Sequence, residues 1–192
     1  DISGFGGAAF ASGTLDEKEA NRGAVQVPDP FLQNMILRAS YAAFELAKKK
    51  HVPVGFKDCG AGGIMCATSE LGSSANLGII VDLDKVHASM ENLAPYVIAC
   101  SETQERLVWI VPKYFTPEIL KIYNEDFDLP NVSEGAKATV IGDVVKSDGV
   151  QRFILKHKDQ IVCDLPILAV TEGIKYNRES RKPKLKFSEP KI

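Results

Sequence analysis

Long apolar runs are missing from this 192-residue chain, and no stretch approaches the ~20 consecutive apolar residues that cross a bilayer. An amino-terminal pattern of basic, apolar and small residues is missing too, so nothing marks the chain for secretion, and a cytoplasmic location is the expectation. Charge of one sign is also lacking. Lys and Arg number 23 against 25 Asp and Glu, and the formal net charge of −2 leaves no electrostatic footprint for nucleic acid or a membrane surface. Cysteine is scarce, and Cys59, Cys66, Cys100 and Cys163 form no C-x-x-C pair. In apolar or helical contexts they read as reduced, buried thiols rather than disulfides or a zinc site, and only Cys59, beside a glycine-rich turn, invites a test of reactivity. The histidines His51, His87 and His157 have no acid or nucleophile motif around them and read as solvated residues, not general bases. No internal repeat is visible. The opening Asp1 to Ser12 is Gly-rich and lacks an initiator Met, so it reads as part of a longer protein.

What is present is enough apolar residue, 45%, to bury a core in one domain. The chain is organised around Val52 to Leu71. A short apolar run ends in Lys57-Asp58, breaks into Cys59-Gly60-Ala61-Gly62-Gly63 and continues as a helical pattern from Ile64, which is a strand, a tight turn and a helix N-terminus in succession. Asp58 then stands at a strand's carboxyl end, where a carboxylate suits a hard cation. Amides opening the helix suit phosphate. The competing reading is a β-to-α turn with Asp58 as a helix cap.

Upstream, Ala24 to Val27 reads as a short strand. Asp29-Pro30 supplies an N-cap and an N1 proline, and Leu32, Met35, Ile36, Ala39, Ala43 and Leu46 keep helical spacing up to the Lys48 to Lys50 terminus. Downstream, Leu77 to Leu83 reads as a strand and Asn92 to Cys100 as a short helix. Leu107 to Pro112 reads as a central strand buried on both faces, and Thr116-Pro117 caps a helix to about Asn124. Strands at 138–145, 151–157 and 160–165 follow, with hairpin turns predicted at Ser147-Asp148-Gly149 and at Lys158-Asp159. Ile167 to Val170 reads as one helical turn, and the basic tail as a linker. The class is α+β, a mixed, largely antiparallel sheet flanked by helices.

A second unusual place is Ser101-Glu102-Thr103-Gln104-Glu105-Arg106, which packs hydroxyl, carboxylate, amide and guanidinium groups into the mouth of an apolar strand. Such density suits a polyhydroxylated or amide-bearing ligand. A surface ion pair between Glu105 and Arg106 with a cap from Ser101 is the alternative.

Four motifs in order are Ala24-Val25-Gln26-Val27 with Asp29-Pro30-Phe31, Lys57-Asp58 with Gly60-Ala61-Gly62-Gly63, Ser69-Glu70-Leu71, and the hexapeptide. Over roughly Gly4 to Tyr176 the chain resembles phosphoribosylformylglycinamidine synthase, in the C-terminal subdomain of the first of its two homologous halves. The resemblance implies a fold like the C-terminal domain of aminoimidazole ribonucleotide synthetase. It divides the chain into residues 1–23, a loop remnant of the preceding subdomain, 24–173, the α+β domain, and 174–192, a basic linker. Family members use ATP and Mg2+ to phosphorylate the amide oxygen of formylglycinamide ribonucleotide, and ammonia from a glutaminase partner then displaces the phosphate. By resemblance Gln26, Glu102, Thr103 and Gln104 contact substrate and Asp58 binds magnesium. Most ATP contacts and the catalytic histidine lie outside this chain, so no catalytic residue is expected here and the isolated chain is expected to be inactive. Thr103 stands where the family usually has serine, and Pro28 replaces a common glycine. The partners implied are the substrate, the glutaminase and the second half of the enzyme, with self-association of the fragment into a homodimer through an uncovered apolar edge. Two other readings stay open: a non-catalytic interaction or regulatory module of the same fold, and a paralogous synthetase acting on another phosphorylated substrate.

Overall fold

Asp29 begins the first element as its sequence requires. Its Oδ1 accepts hydrogen bonds from the Phe31 and Leu32 amides at 3.1 and 2.9 Å, and Pro30 follows at the first helical position. Helix α1 (Pro30–Lys49) ends with Lys48 and Lys49 against its negative pole. The computed structural model describes residues 28–88, 90–146, 148–173 and 175–181. The expected strand 24–27, Gln26, the opening loop and most of the basic tail lie outside the described residues.

The chain then gives β1 (Gly55–Asp58), α2 (Gly63–Ser74), β2 (Gly78–Asp82), a 3-10 turn, α3 (Pro95–Cys100) and β3 (Leu107–Ile110). A second 3-10 turn leads into α4 (Thr116–Lys121), the π turn Ile122–Asp126 and α5 (Leu129–Val132). Strands β4 (Gly142–Val145), β5 (Arg152–His157) and β6 (Gln160–Pro166) precede α6 (Ile167–Thr171). Residues 175–181 are exposed and carry neither helix nor strand.

Two sheets organise the described residues. An antiparallel ribbon pairs β1 with β3, setting Gly55 opposite Ile110 and Asp58 opposite Leu107. A mixed sheet has the order β4-β2-β5-β6, parallel only between β2 and β5, so the largely antiparallel α+β expectation holds. Each sheet owns a core. Ile79, Val81, Phe153 and Leu155 of the mixed sheet pack on Ile64 and Ala67 of α2 and Ile167 of α6. The second core sets α1, through Ile36, Ala39, Ala43 and Ala47, against Phe115, Ile119, Ile122 and Leu129. Ser40 and the Trp109 indole meet on the Tyr123 hydroxyl at 2.6 and 2.8 Å, and Phe44, Phe56 and Trp109 stack at 4.6–5.0 Å between centroids, tying α1 to the ribbon.

Three sequence expectations change. The Ser147-Asp148-Gly149 hairpin does not form, because β2 lies between β4 and β5 and pairs with both. By contrast, the Lys158-Asp159 hairpin joins β5 to β6 with both residues left-handed, at φ 49° and 60°, as a two-residue turn between right-twisted strands requires. Thr116 is itself helical and makes no side-chain cap, since the preceding 3-10 turn feeds α4 directly. Finally, β3 is not central: among the described residues it pairs with β1 alone, and only Val108 is fully buried.

Candidate functional site

The turn after β1 decides where Asp58 can act. Helix α2 opens on Gly62, left-handed at φ 75° and without a side-chain cap, so Asp58 is not the cap of that helix. The carboxylate is solvent-exposed and makes no hydrogen bond or salt bridge among the described residues. It overhangs the turn: a Cβ placed on Gly60 would lie 3.0 Å from Asp58 Oδ2. Beside it, Lys57 is paired with Glu70 of α2, and the Cys66 thiol donates to the same Glu70 at 3.1 Å. That shared hydrogen bonding holds the Lys57 ammonium above, and the Glu70 carboxyl below, their ordinary ranges. Lys57 is therefore committed to Glu70, and Asp58 is left as the uncommitted carboxylate at the strand end.

The hexapeptide lies against this same turn and touches it at both ends. At one end the Cys59 amide donates to the Arg106 carbonyl at 2.9 Å, continuing the register that sets Asp58 opposite Leu107. At the other, Gly63 sits at φ 56° so close to the end of α3 that a Cβ would be 2.5 Å from the Ser101 carbonyl oxygen and 3.0 Å from that of Ala99. Only glycine fits there, by torsion and by contact. Two segments some forty residues apart in sequence thus form one surface.

Within the hexapeptide the polar groups divide. Ser101 is buried and its hydroxyl returns to the Val97 carbonyl, closing α3. Arg106 is largely buried and donates to the His87 carbonyl at 2.9 Å, pinning the loop after β2 to the strand mouth. Glu105 is left-handed at φ 53°, and its carboxyl, raised by burial, accepts a hydrogen bond from the Asp29 backbone amide. Glu102, Thr103 and Gln104 are half-buried, and the Thr103 hydroxyl is buried with no hydrogen-bond partner among the described residues. A buried hydroxyl without a partner costs about 1–3 kcal/mol, which a ligand group can recover.

Cys59 is 4% exposed and burial pushes its thiol up to about 12, while Cys66, raised by burial and then by its bond to Glu70, reaches about 11. Neither has thiolate to offer at neutral pH, so the reactivity worth testing at Cys59 is absent. The largest cavity, about 1110 Å³, lies elsewhere, behind the ribbon among Val54, Leu71, Trp109, Ile110, Ile119 and Ile141. Its aliphatic walls do not suit a phosphorylated, hydroxyl-rich ligand, and none of Asp58, Glu102, Thr103 and Gln104 lines it.

Residues 1–154 match the family described as AIR synthase related protein, C-terminal domain. The chain belongs to this family. Among curated relatives of this AIR synthase-related C-terminal domain, the phosphoribosylformylglycinamidine synthase subunit PurL of Methanothrix thermoacetophila is 48% identical over 194 residues, covering 100% of this chain and 25% of the relative. The Deinococcus radiodurans PurL subunit is 36% identical, covering 92% of this chain and 22% of its own length. The chain spans about a quarter of the curated relatives it matches. Among solved structures, Thermotoga maritima PurL complexed with FGAR superposes with a TM-score of 0.68 at 28% identity, covering 96% of this chain and 29% of that one. The same protein complexed with ATP gives 0.60 at 28%, covering 87% and 27%. Among the described residues of this AIR synthase-related domain, no helix is long and apolar enough to cross a membrane, and no three His, Cys, Asp or Glu residues group to hold a metal.

Of the residues singled out in the sequence, Asp58 and the Glu102 to Gln104 triplet fall on the two segments that dock together, and Gln26 lies outside the described residues. The contact of Glu105 with the start of α1 was not readable in the sequence, because a left-handed glutamate carries no sequence signal.

Proposed function

We propose that this chain forms one wall of the substrate and metal site of a phosphoribosylformylglycinamidine synthase, an ATP-dependent C–N ligase of purine biosynthesis in the cytoplasm. The observation that supports this reading most is the docking of the hexapeptide on the glycine turn at both its ends, which sets an uncommitted carboxylate and an unsatisfied buried hydroxyl on neighbouring segments. The relatives add support, being PurL subunits and PurL complexed with FGAR or ATP.

In this reading Glu102, Thr103 and Gln104 bind the ribose hydroxyls and formyl-amide of formylglycinamide ribonucleotide. The Thr103 hydroxyl gains the partner it lacks within the described chain. Gln26 joins them from the start of the domain: it stands three residues before Asp29, so its Cα lies within about 11 Å of the Asp29 Cα, whose amide touches Glu105. Asp58 would hold the magnesium ion. A solvent-exposed carboxylate without a protein partner is the donor a hydrated Mg2+ shared with phosphate oxygens takes, and a grouped set of protein ligands is not needed. When bound, the ion neutralises and orients transferred-phosphate oxygens. ATP, the ammonia from a glutaminase subunit and the groups that move protons come from the preceding subdomain, the second half and the partner, so the chain alone is inactive.

The test is Asp58→Asn in the full-length synthetase, with ammonium chloride as nitrogen source. Amidine formation should fall by roughly 10²-fold or more, the loss of several kcal/mol of charge stabilisation, while the unfolding midpoint stays that of the parent. Undiminished turnover in Asp58→Asn would remove the metal role and favour the non-catalytic module.

A further inference from the structure

Glu105 is the one hexapeptide side chain that reaches the start of α1, and its backbone is left-handed at φ 53°. The other non-glycine residues of positive φ are His51, Asn76, Asn92, Asp128, Lys158 and Asp159. His51 and Asn76 follow the ends of α1 and α2, Asp128 precedes α5, and Lys158 and Asp159 make the β5–β6 turn. Those are places where asparagine, aspartate or a helix end accepts the conformation. Glutamate at a strand mouth has no such local reason, and a residue held there persists only when its surroundings fix it. They do. The next residue, Arg106, is fixed by its carbonyl on the Cys59 amide at 2.9 Å and by its guanidinium on the His87 carbonyl at 2.9 Å. On the far side of the contact, Asp29 is locked by its own cap bonds to Phe31 and Leu32.

From this we infer that Glu105 is a positioning residue: by holding the Asp29 amide while its backbone turns the chain from Gln104 into β3, it fixes the start of α1 relative to the Glu102 to Gln104 triplet. Substrate-binding groups from the two ends of the domain then present together. The inference rests on the function proposed above and adds a residue that this reading does not assign to substrate or metal. It also accounts for a carboxylate placed where burial disfavours it, since an amide held by a neutral side chain would be held less firmly.

Separating backbone from carboxylate tests it. In the full-length synthetase with ammonium chloride, Glu105→Gly removes the carboxylate and the torsional strain together, Glu105→Ala removes the carboxylate and keeps the strain, and Glu105→Gln keeps an acceptor. We expect KM for formylglycinamide ribonucleotide to rise about 10-fold in both Glu105→Gly and Glu105→Ala, with KM for ATP within about 2-fold of the parent. Glu105→Gln should recover at least half of that loss on a logarithmic scale, and Glu105→Gly should unfold no earlier than the parent. An unchanged substrate KM in Glu105→Gly, an equal rise in both KM values, or no recovery in Glu105→Gln overturns the role. Thr103→Val, run alongside, separates the two levels. If Thr103→Val raises the substrate KM and Glu105→Gly does not, the positioning role alone fails; if neither does, the substrate reading of the hexapeptide fails with it.

Discussion

Gly63→Ala is the substitution that most directly challenges the assembly of the two segments. An alanine Cβ there would stand 2.5 Å from the Ser101 carbonyl oxygen, 2.9 Å from the Cys100 carbonyl carbon and 3.0 Å from the Ala99 carbonyl oxygen, all of them backbone atoms at the end of α3. Backbone cannot rotate away, so α3 and the hexapeptide must move off the turn by several tenths of an ångström. The residue also pays for φ 56°, at about 1–2 kcal/mol. Gly135 supplies the control: it has φ 77° and no atom within 4 Å of its Cβ position, so Gly135→Ala carries the torsional term alone. Overpacking adds about 1–3 kcal/mol at Gly63. At about 2–4 °C per kcal/mol for a chain of this size, Gly135→Ala should lower the unfolding midpoint by ~2–8 °C and Gly63→Ala by a further ~2–12 °C. Differential scanning calorimetry of the two variants beside the parent measures the difference. In the full-length synthetase, Gly63→Ala should also raise KM for formylglycinamide ribonucleotide, and Gly135→Ala should not. Equal midpoints for the two variants, or an unchanged KM in Gly63→Ala, would show that the turn and the hexapeptide do not bear on each other.

Two further outcomes are expected. Thr103→Val removes the buried unpartnered hydroxyl and keeps its volume. It should leave stability equal or slightly higher while raising KM for formylglycinamide ribonucleotide about 10-fold, the equivalent of about 1.4 kcal/mol, whereas Thr103→Ser keeps the parental KM. His87 is held below its ordinary value of 6.5, first by burial and then by Lys137 and Arg106, so the folded chain binds fewer protons there than the unfolded chain. Its stabilising effect is complete above pH ~6.5 and is lost as pH falls through that value toward the folded one; urea unfolding of the parent and His87→Asn between pH 5 and 8 should diverge on the acidic side only.

Much of this arrangement is legible in the residues because local chemistry and tertiary contacts agree. Asp29-Pro30 and the 3.6-residue apolar spacing give α1 within a residue of its observed ends, and Lys158-Asp159 gives its hairpin. Where the reading fails, pairing partners decide the outcome, not the segment itself. The stretch Ser147-Asp148-Gly149 has turn chemistry, but β4 and β5 both find β2, and nothing in either strand marks β2 as the shared partner. Leu107 to Ile110 is apolar enough for a central strand, yet its burial comes from stacking of Trp109 on Phe44 and Phe56 rather than from a neighbour on each edge. At the site, residue types point to chemistry, while the two features that assemble it, the approach of Gly63 to the end of α3 and the left-handed Glu105, are torsions and distances with no counterpart in composition.

The same contacts explain why the hexapeptide can change side chains without losing its place. Its ends are held through main-chain atoms, the Arg106 carbonyl on the Cys59 amide and the Ser101 carbonyl against Gly63, so the intervening residues do not carry the docking. Thr103, which keeps a hydroxyl where the family usually has serine, adds a methyl group at a half-buried position and leaves both anchors untouched. The glycine is different in kind, because its missing side chain is the contact. Substitutions in the triplet should therefore act on ligand affinity with little effect on folding, and substitutions at Gly63 should act on both. That separation follows from a surface in which position is set by backbone and chemistry by side chains.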